Sequence, residues 1–282
     1  MNLLSQGLRP LIRHWLEEDD LTRNIHYTRT LPDRPVIMTL KIKSDLVFAG
    51  ADFFIATFEE LGVPAADLEM LNDYEARSLK AGTIIEFPSA IPFSIAVTGE
   101  RLALNLLQHG SSIATWTKRY VDLTNGTEIK VLDTRKTTPG LRSLEKYAVR
   151  VGGGFNHRLG QSDVWMIKDN HKSCLGGLGG ALEFFRSQGA FYNSIIAEIH
   201  DLKELKEAID LGLKHIMLDN FSLADIAEAV KLKAPGMTYE VSGGVRLETL
   251  KNYFVSGVDA ISIGALTYDA PRVDLSLKYR PA

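Results

Sequence analysis

Five bases and two acids in the second half of the chain have the types needed to act on a multiply charged anion. The bases are Arg135, Lys136, His157, Arg158 and Lys168, and the acids are Glu198 and Asp219. The planar fork of arginine matches carboxylate and phosphate geometry, and lysine supplies a point charge. Several bases in one pocket imply a ligand with more than one negative group. The acids suit magnesium, which takes one or two carboxylates and completes its shell with phosphate oxygens and water. They also suit positive charge developing on a sugar ring in an oxocarbenium-like transition state. Ser242, Gly243 and Gly244, then Gly264 and Ala265, offer backbone N–H groups at close range, as a phosphate site requires. Each group also has a plainer reading. Arg135 and Lys136 could be a solvated turn before Thr137, the acids could pair with nearby bases, and the glycines could be ordinary tight turns.

These residues share a place in the rhythm of the chain. Apolar runs recur at 129–132, 164–167, 195–199, 215–218, 238–241 and 260–263. Asp133, Arg135 and Lys136 follow the first, and Lys168 and Asp169 follow the second. Glu198 and His200 end the third, Asp219 and Asn220 the fourth, Ser242 to Gly244 the fifth, and Gly264 the sixth. The last four runs return about every 22 residues, enough for a strand, a helix and two short loops. Helical periodicity fills the intervals at 201–211, 222–232 and 246–256, with Asp201 and Ser222 as N-caps and Gly257 as a stop. Repeated βα units build a parallel barrel or an open doubly wound sheet. Polar strand ends gathered on one rim favour the barrel.

Residues 25–92 alternate differently, with short strands at 36–42, 45–48 and 83–87 and a helix at 51–61 ended by Gly62. A second helix is predicted over 99–109, with Gly110 as its stop. The expected domains are therefore an α+β unit over 1–110 and an α/β catalytic unit over 111–269. Arg101 falls in the first turn of the second predicted helix, where the dipole disfavours a cation and a bound anion would relieve the conflict. The cluster of glycines over 176–180 lacks the spacing of a dinucleotide fingerprint and reads as a loop.

A formal charge of −3 provides no global field for nucleic acid or an anionic membrane. No uncharged apolar run approaches the roughly 18–20 residues that span a bilayer. Charges from Arg9 to Asp20 interrupt any leader-like apolar start. The single cysteine, Cys174, excludes an internal disulfide and suits a reducing compartment. The chain reads as a soluble cytoplasmic protein with a local anion site.

The motifs DTRKTTPGLR over 133–142, GGGFNHR over 152–158 and IKDNH over 167–171 resemble the quinolinate phosphoribosyltransferases, also called nicotinate-nucleotide pyrophosphorylases (carboxylating). MLDN over 217–220, SGG over 242–244 and GALT over 264–267 continue the resemblance in family order. Glu100, Arg101 and NLL over 105–107 extend it across nearly the whole chain. It implies an N-terminal α+β sandwich-like domain, with the tail 270–282 packed on it, and an incomplete parallel α/β (TIM-like) barrel. It implies a homodimer in which Arg101 reaches the neighbouring subunit's site. The implied reaction joins quinolinate to phosphoribosyl pyrophosphate with loss of CO2. Arg135, His157, Arg158 and Lys168 would hold the quinolinate carboxylates. Lys136 would meet the pyrophosphate, and Glu198 and Asp219 the ribose and magnesium, directly or through water. Ser242, Gly243, Gly244, Gly264 and Ala265 would bind the 5-phosphate. Lys136, Lys168, Glu198 and Asp219 form the implied catalytic group.

The chain departs from the family in four places. Residues 21–28 lack the usual acidic-glycine-aspartate turn, and Ser112 stands where Ser-Gly is usual. His200 replaces a common glutamate, and Tyr268 stands where the family has a histidine that contacts pyrophosphate. Rival readings are a related enzyme with another pyridine-like acceptor, nicotinate as acceptor, a Schiff-base aldolase using Lys168, and a sugar-phosphate sensor.

Overall fold

In the computed structural model, which describes residues 3–19, 24–188, 192 and 194–282, the apolar spacings of the sequence become buried faces. Of the departing stretch 21–28, residues 21–23 lie outside that description. The chain divides into two units, Met1–Trp116 with Ala270–Ala282, and Thr117–Asp269.

In the first unit, Leu8, Ile12 and Leu16 recur at helical spacing and form the buried face of α1 (Leu3–Glu18), which α2 (Ile25–Thr30) follows. Val36, Met38, Leu40 and Ile42 alternate inward along β1 (Pro35–Ile42). The two-residue strands β2 (Leu46–Val47) and β3 (Ser78–Leu79) pair antiparallel. Between them lies α3 (Ala51–Glu60), ended by Gly62 at φ 94°. β1 is the centre of an antiparallel sheet, flanked by β4 (Ile84–Pro92) and by β11 (Leu275–Pro281) from the chain's end. Phe54 of α3 stacks on Phe87 of β4 at 5.8 Å and meets Phe58 at 5.1 Å, the aromatic centre of this core.

The second unit begins within α4 (Phe93–Leu123). It then runs through β5 (Lys130–Leu132), α5 (Arg142–Val151), β6 (Trp165–Ile167), α6 (Asp169–Cys174) and α7 (Gly177–Ser187). The rhythm continues with β7 (Ile195–Ile199), α8 (Leu202–Asp210), β8 (His215–Asp219), α9 (Leu223–Lys231) and β9 (Thr238–Ser242), and closes with β10 (Ala260–Ser262) and α10 (Ala265–Tyr268). The six strands form one parallel sheet in the order β5-β10-β9-β8-β7-β6. The sheet curls, because residues at both of its edges line the same cavity, and among the described residues no ladder joins β5 to β6: an incomplete barrel. Asp201 and Ser222 cap α8 and α9 by accepting the amides of Glu204 and Asp225.

Three local expectations are corrected. Gly110 does not stop a helix, since α4 runs from Phe93 through it to Leu123. A glycine costs about 1 kcal/mol in a helix interior, less than the burial of Ile113 and Ala114 beyond it supplies. Arg101 is therefore in mid-helix, and the dipole argument for an anion there fails. The cluster at 176–180 is no loop. Gly177 opens α7, and a Cβ on Gly180 would lie 1.8 Å from the carbonyl oxygen of Leu175, so glycine permits that close turn. Residues 246–256 form only a single 3-10 turn at Leu250–Tyr253. There the hydroxyl of Thr249 binds both the N–H and the carbonyl of Arg246, competing with a helical start. No helix of the described residues is long and apolar enough to cross a membrane.

Candidate active site

Strand register decides which side chains meet. Glu198, Met217 and Glu240 stand opposite one another on β7, β8 and β9, and Asp219 stands opposite Ser242 one layer further along. Residues opposite in parallel register share a face, so these two layers both point into the barrel. Above them opens a cavity of about 360 Å³. Arg135, Lys136, His157, Arg158, Lys168, Glu198, Asp219 and Ser242 line it together with Thr134, Met166, Met217 and Ser262.

The other predicted residues are placed differently. Gly264 packs against Lys136 and Tyr268, where a Cβ would come within 2.9 Å of Cδ of Lys136 and 2.8 Å of the Tyr268 ring. Gly243, at φ 99°, leaves no room for a Cβ beside Asn220, and Gly244 also takes positive φ at 62°. Ala265 is buried at the start of α10. Arg101 belongs to the first unit and is exposed on α4.

A buried polar network holds the basic residues. Asp133, fully buried just past β5, accepts from Lys146 Nζ at 2.5 Å, from Asn156 Nδ2 at 2.6 Å and from the amide of His157 at 2.8 Å. Burial raises its carboxyl above the ordinary value against these donors. Lys146 also donates to the carbonyl of His157 at 3.2 Å. The Glu145 carboxylate accepts the amide of Thr138, and Thr267 donates to the carbonyl of Lys136 at 2.7 Å, which fixes the turn carrying Arg135 and Lys136. Arg158 donates to the carbonyls of Gln161 and Val164. Burial, then the charge of Arg135, lowers its pKa, yet a guanidinium stays charged at any ordinary pH.

The acidic side is braced as well. Lys168 donates to Glu198 Oε2, and Lys172 donates to the Glu198 carbonyl at 3.0 Å and to Glu204 at 2.7 Å. His200 stands among three carboxylates: Nε2 is 2.5 Å from Asp169 Oδ1 and 3.9 Å from Glu198, and Nδ1 is 3.8 Å from Asp219. One ligand atom each from Asp169, Glu198 and His200 lie within 4.8 Å of one another. For Asp169, burial works to raise the pKa, but Lys172 and His200 outweigh it and hold the carboxyl below its ordinary value.

Sequence reasoning missed Met166, Met217 and Ser262 on the lining. Strand parity carries their signal, since each lies two residues before a strand-end residue already singled out. It also missed Lys146, Asn156 and Glu240 as supports, and strand parity alone does not reveal their partners.

Known proteins are similar to this chain in sequence and fold. Residues 113–278 match the model of the quinolinate phosphoribosyl transferase C-terminal domain. A probable nicotinate-nucleotide pyrophosphorylase [carboxylating] of Bacillus subtilis is 36% identical over 270 residues, covering 96% of this chain and 92% of that protein. The nicotinate-nucleotide pyrophosphorylase [carboxylating] of Rattus norvegicus is 34% identical, covering 96% of this chain and 91% of its own. The crystal structure of NadC from Streptococcus pyogenes superposes with a TM-score of 0.86 at 33% identity, covering 98% of both chains. A family match over more than half the chain, on a barrel whose strand ends carry the bases and acids just described, has one meaning: this chain belongs to the quinolinate phosphoribosyltransferase family.

Proposed function

We propose that the chain transfers phosphoribosyl from phosphoribosyl pyrophosphate to quinolinate and releases CO2, yielding nicotinate mononucleotide and pyrophosphate. One observation carries this reading: Arg135, Arg158 and Lys168 share a single cavity with Glu198 and Asp219. A planar dicarboxylate needs the first set, and a sugar carrying developing positive charge needs the second.

Arg135, Arg158 and Lys168 hold the two carboxylates beside the His157 ring and aim the pyridine nitrogen at C1 of the ribose. The N–C1 bond forms as the C1–O bond to pyrophosphate breaks, and the electron pair leaves on that oxygen. Glu198 and Asp219 stabilise the cationic ring carbon, and Lys136 takes up charge on the leaving group. Much of the acceleration is the positioning of two bound reactants. The ribosylated nitrogen is cationic, so its charge stabilises the electron pair left on the adjacent ring carbon when the carboxylate departs as CO2, and a proton then takes up that pair. Ser242, with the N–H groups around Gly243, Gly244, Gly264 and Ala265, receives the 5-phosphate. Glu198 and Asp219 are the oxygen donors that magnesium takes, and both face the cavity, so they fit that ion directly or through water. When bound, magnesium supplies positive charge to the departing pyrophosphate. The working form in this reading is a cytoplasmic homodimer, with exposed Arg101 supplied to the neighbouring subunit's cavity.

The test is direct. Protein incubated with quinolinate, phosphoribosyl pyrophosphate and magnesium should release nicotinate mononucleotide and CO2 in equal amounts. Turnover of nicotinate in preference to quinolinate, or no pyrophosphate release, would reject the assignment.

A further inference from the structure

Beneath the cavity, Glu240 sits in the same inward layer as Glu198 and Met217 but does not reach the lining. Its side chain is nearly buried, and Oε1 has no hydrogen-bond partner among the described residues. Such a group is costly unless something justifies it. Its neighbour is His157, whose Nε2 lies 3.3 Å from Oε2. The other ring nitrogen, Nδ1, accepts the backbone N–H of Arg158 at 2.7 Å. A nitrogen that accepts carries no proton, so the imidazole proton sits on Nε2, facing the carboxylate. Nδ1 is thereby bonded within the protein, while buried Nε2 faces the carboxylate at 3.3 Å without an aligned hydrogen bond, so this pair is held by charge and proximity. The His157 backbone is held too, by Asp133 at its N–H and Lys146 at its carbonyl.

We propose that Glu240 is a positioning residue for acceptor capture. It fixes His157 as the Nε2–H tautomer, which leaves Nδ1 to hold the Arg158 amide and so sets the direction in which the Arg158 guanidinium enters the cavity. Through this link His157 orients Arg158 as well as lining the cavity itself. This rests on the reading that Arg158 meets a quinolinate carboxylate. Loss of alignment at a bidentate contact raises the acceptor's KM and leaves the phosphoribosyl donor's KM nearly unchanged.

The experiment compares full-length wild type, Glu240→Gln and Glu240→Ala. In nitrogen-15 spectra of labelled histidine, assigned with His157→Asn, wild type should show His157 protonated at Nε2 and bare at Nδ1. Glu240→Gln, whose amide oxygen still accepts, should keep that signature and stay within about threefold of wild type in quinolinate KM. Glu240→Ala should lose the signature and raise quinolinate KM by about tenfold or more, with the donor's KM moved less than about twofold. A wild-type proton on Nδ1 would overturn the proposal. So would Glu240→Ala with unchanged quinolinate KM, or with both KM values raised alike. The tautomer signature needs no turnover, so failure of the reaction assay with the signature intact would count against quinolinate and not against the Glu240–His157–Arg158 linkage. Should Glu240→Ala not fold, wild type and Glu240→Gln still decide the tautomer.

Discussion

The two units differ in whether both partners of a charge pair are buried. The Glu60 side chain of the first is buried but its partners Arg9 and Arg13 are partly and largely exposed, whereas Lys146 and Asp133 of the second are both buried. In residues 1–116 with 270–282, the interior is Phe48, Phe54, Phe58 and Phe87, and pairs such as Arg280–Glu86 lie at the surface with both side chains more than half exposed. In residues 117–269, charge goes inside: Lys146–Asp133 with side chains 4% and 0% exposed, Lys172 with Glu204, and His157 against Glu240. A buried pair is weak evidence for stability, because removing two ions from water can cost more than their attraction returns. Stability therefore does not explain the contrast. Location does, because Asp133 grips the backbone of His157, and Lys172 grips the backbone of Glu198. The barrel accepts the desolvation cost in exchange for fixed directions at its lining side chains.

The largest effect expected from breaking this contrast is at Asp133. Asp133→Ala leaves Lys146 buried without its carboxylate and should lower unfolding free energy by about 3–5 kcal/mol. Phe54→Ala, in the apolar core of the other unit, should cost a similar 3–5 kcal/mol or so through its cavity. Urea unfolding will not separate the two. Kinetics below both transitions will: Asp133→Ala should lose quinolinate kcat/KM at least about tenfold, and Phe54→Ala should hold it within about threefold. Equal losses would mean that the buried charge has no special tie to the site. Arg280→Ala, at the surface, should cost less than about 1 kcal/mol.

Next comes the lining itself. Arg135→Ala should reduce quinolinate kcat/KM by about 100-fold, near 3 kcal/mol of transition-state binding, with little change in urea midpoint. An unchanged kcat/KM would remove Arg135 from the carboxylate wall.

What the sequence made legible follows the same division. The six barrel strands and their polar ends could be read because both signals are local: an apolar run, then a charge. Most of the basic and acidic lining was legible for that reason. Lys146 and Glu240 were not, because their partners Asp133 and His157 lie on other elements and only the folded chain brings them together. Gly110 and the 176–180 cluster misled because glycine reads as a breaker wherever a helix can absorb its cost or needs its missing side chain. Residues 246–256 misled in the opposite direction, since apolar spacing said nothing of the Thr249 hydroxyl binding Arg246.

Glycine offers a smaller test of the two regions. Gly82, in the first unit, has φ 93° but nothing within 4 Å of a new Cβ, so Gly82→Ala carries backbone strain alone, about 1 kcal/mol. Gly243 has φ 99°, and its Cβ would fall 2.2 Å from Asn220 Oδ1 and 2.9 Å from the Asn220 amide nitrogen. Gly243→Ala should therefore cost about 1–3 kcal/mol and displace the turn after Ser242. Its KM for phosphoribosyl pyrophosphate should rise while that of Gly82→Ala stays at the wild-type value. If both variants leave that KM unmoved, the glycine turn is not a phosphate cradle.

The smallest effect is in pH, and the two units give it opposite signs. Burial alone raises Asp52, in the first turn of α3, above 3.8. Its neutral form is favoured by folding, so its contribution is full below the unfolded value and disappears as pH rises through the folded one. Asp169 is lowered beneath 3.8, since Lys172 and His200 outweigh burial. Its contribution is full above the unfolded value and disappears as pH falls through the folded one. Melting temperatures of Asp52→Asn and Asp169→Asn, each taken against wild type from about pH 3 to pH 7, should diverge accordingly. Asp52→Asn should match wild type at the acid end and exceed it as pH rises. Asp169→Asn should fall below wild type near neutrality and approach it as acid protonates Asp169 and breaks its pairs. Parallel curves for the two variants would mean that the barrel rim handles this carboxylate no differently from the first unit's helix.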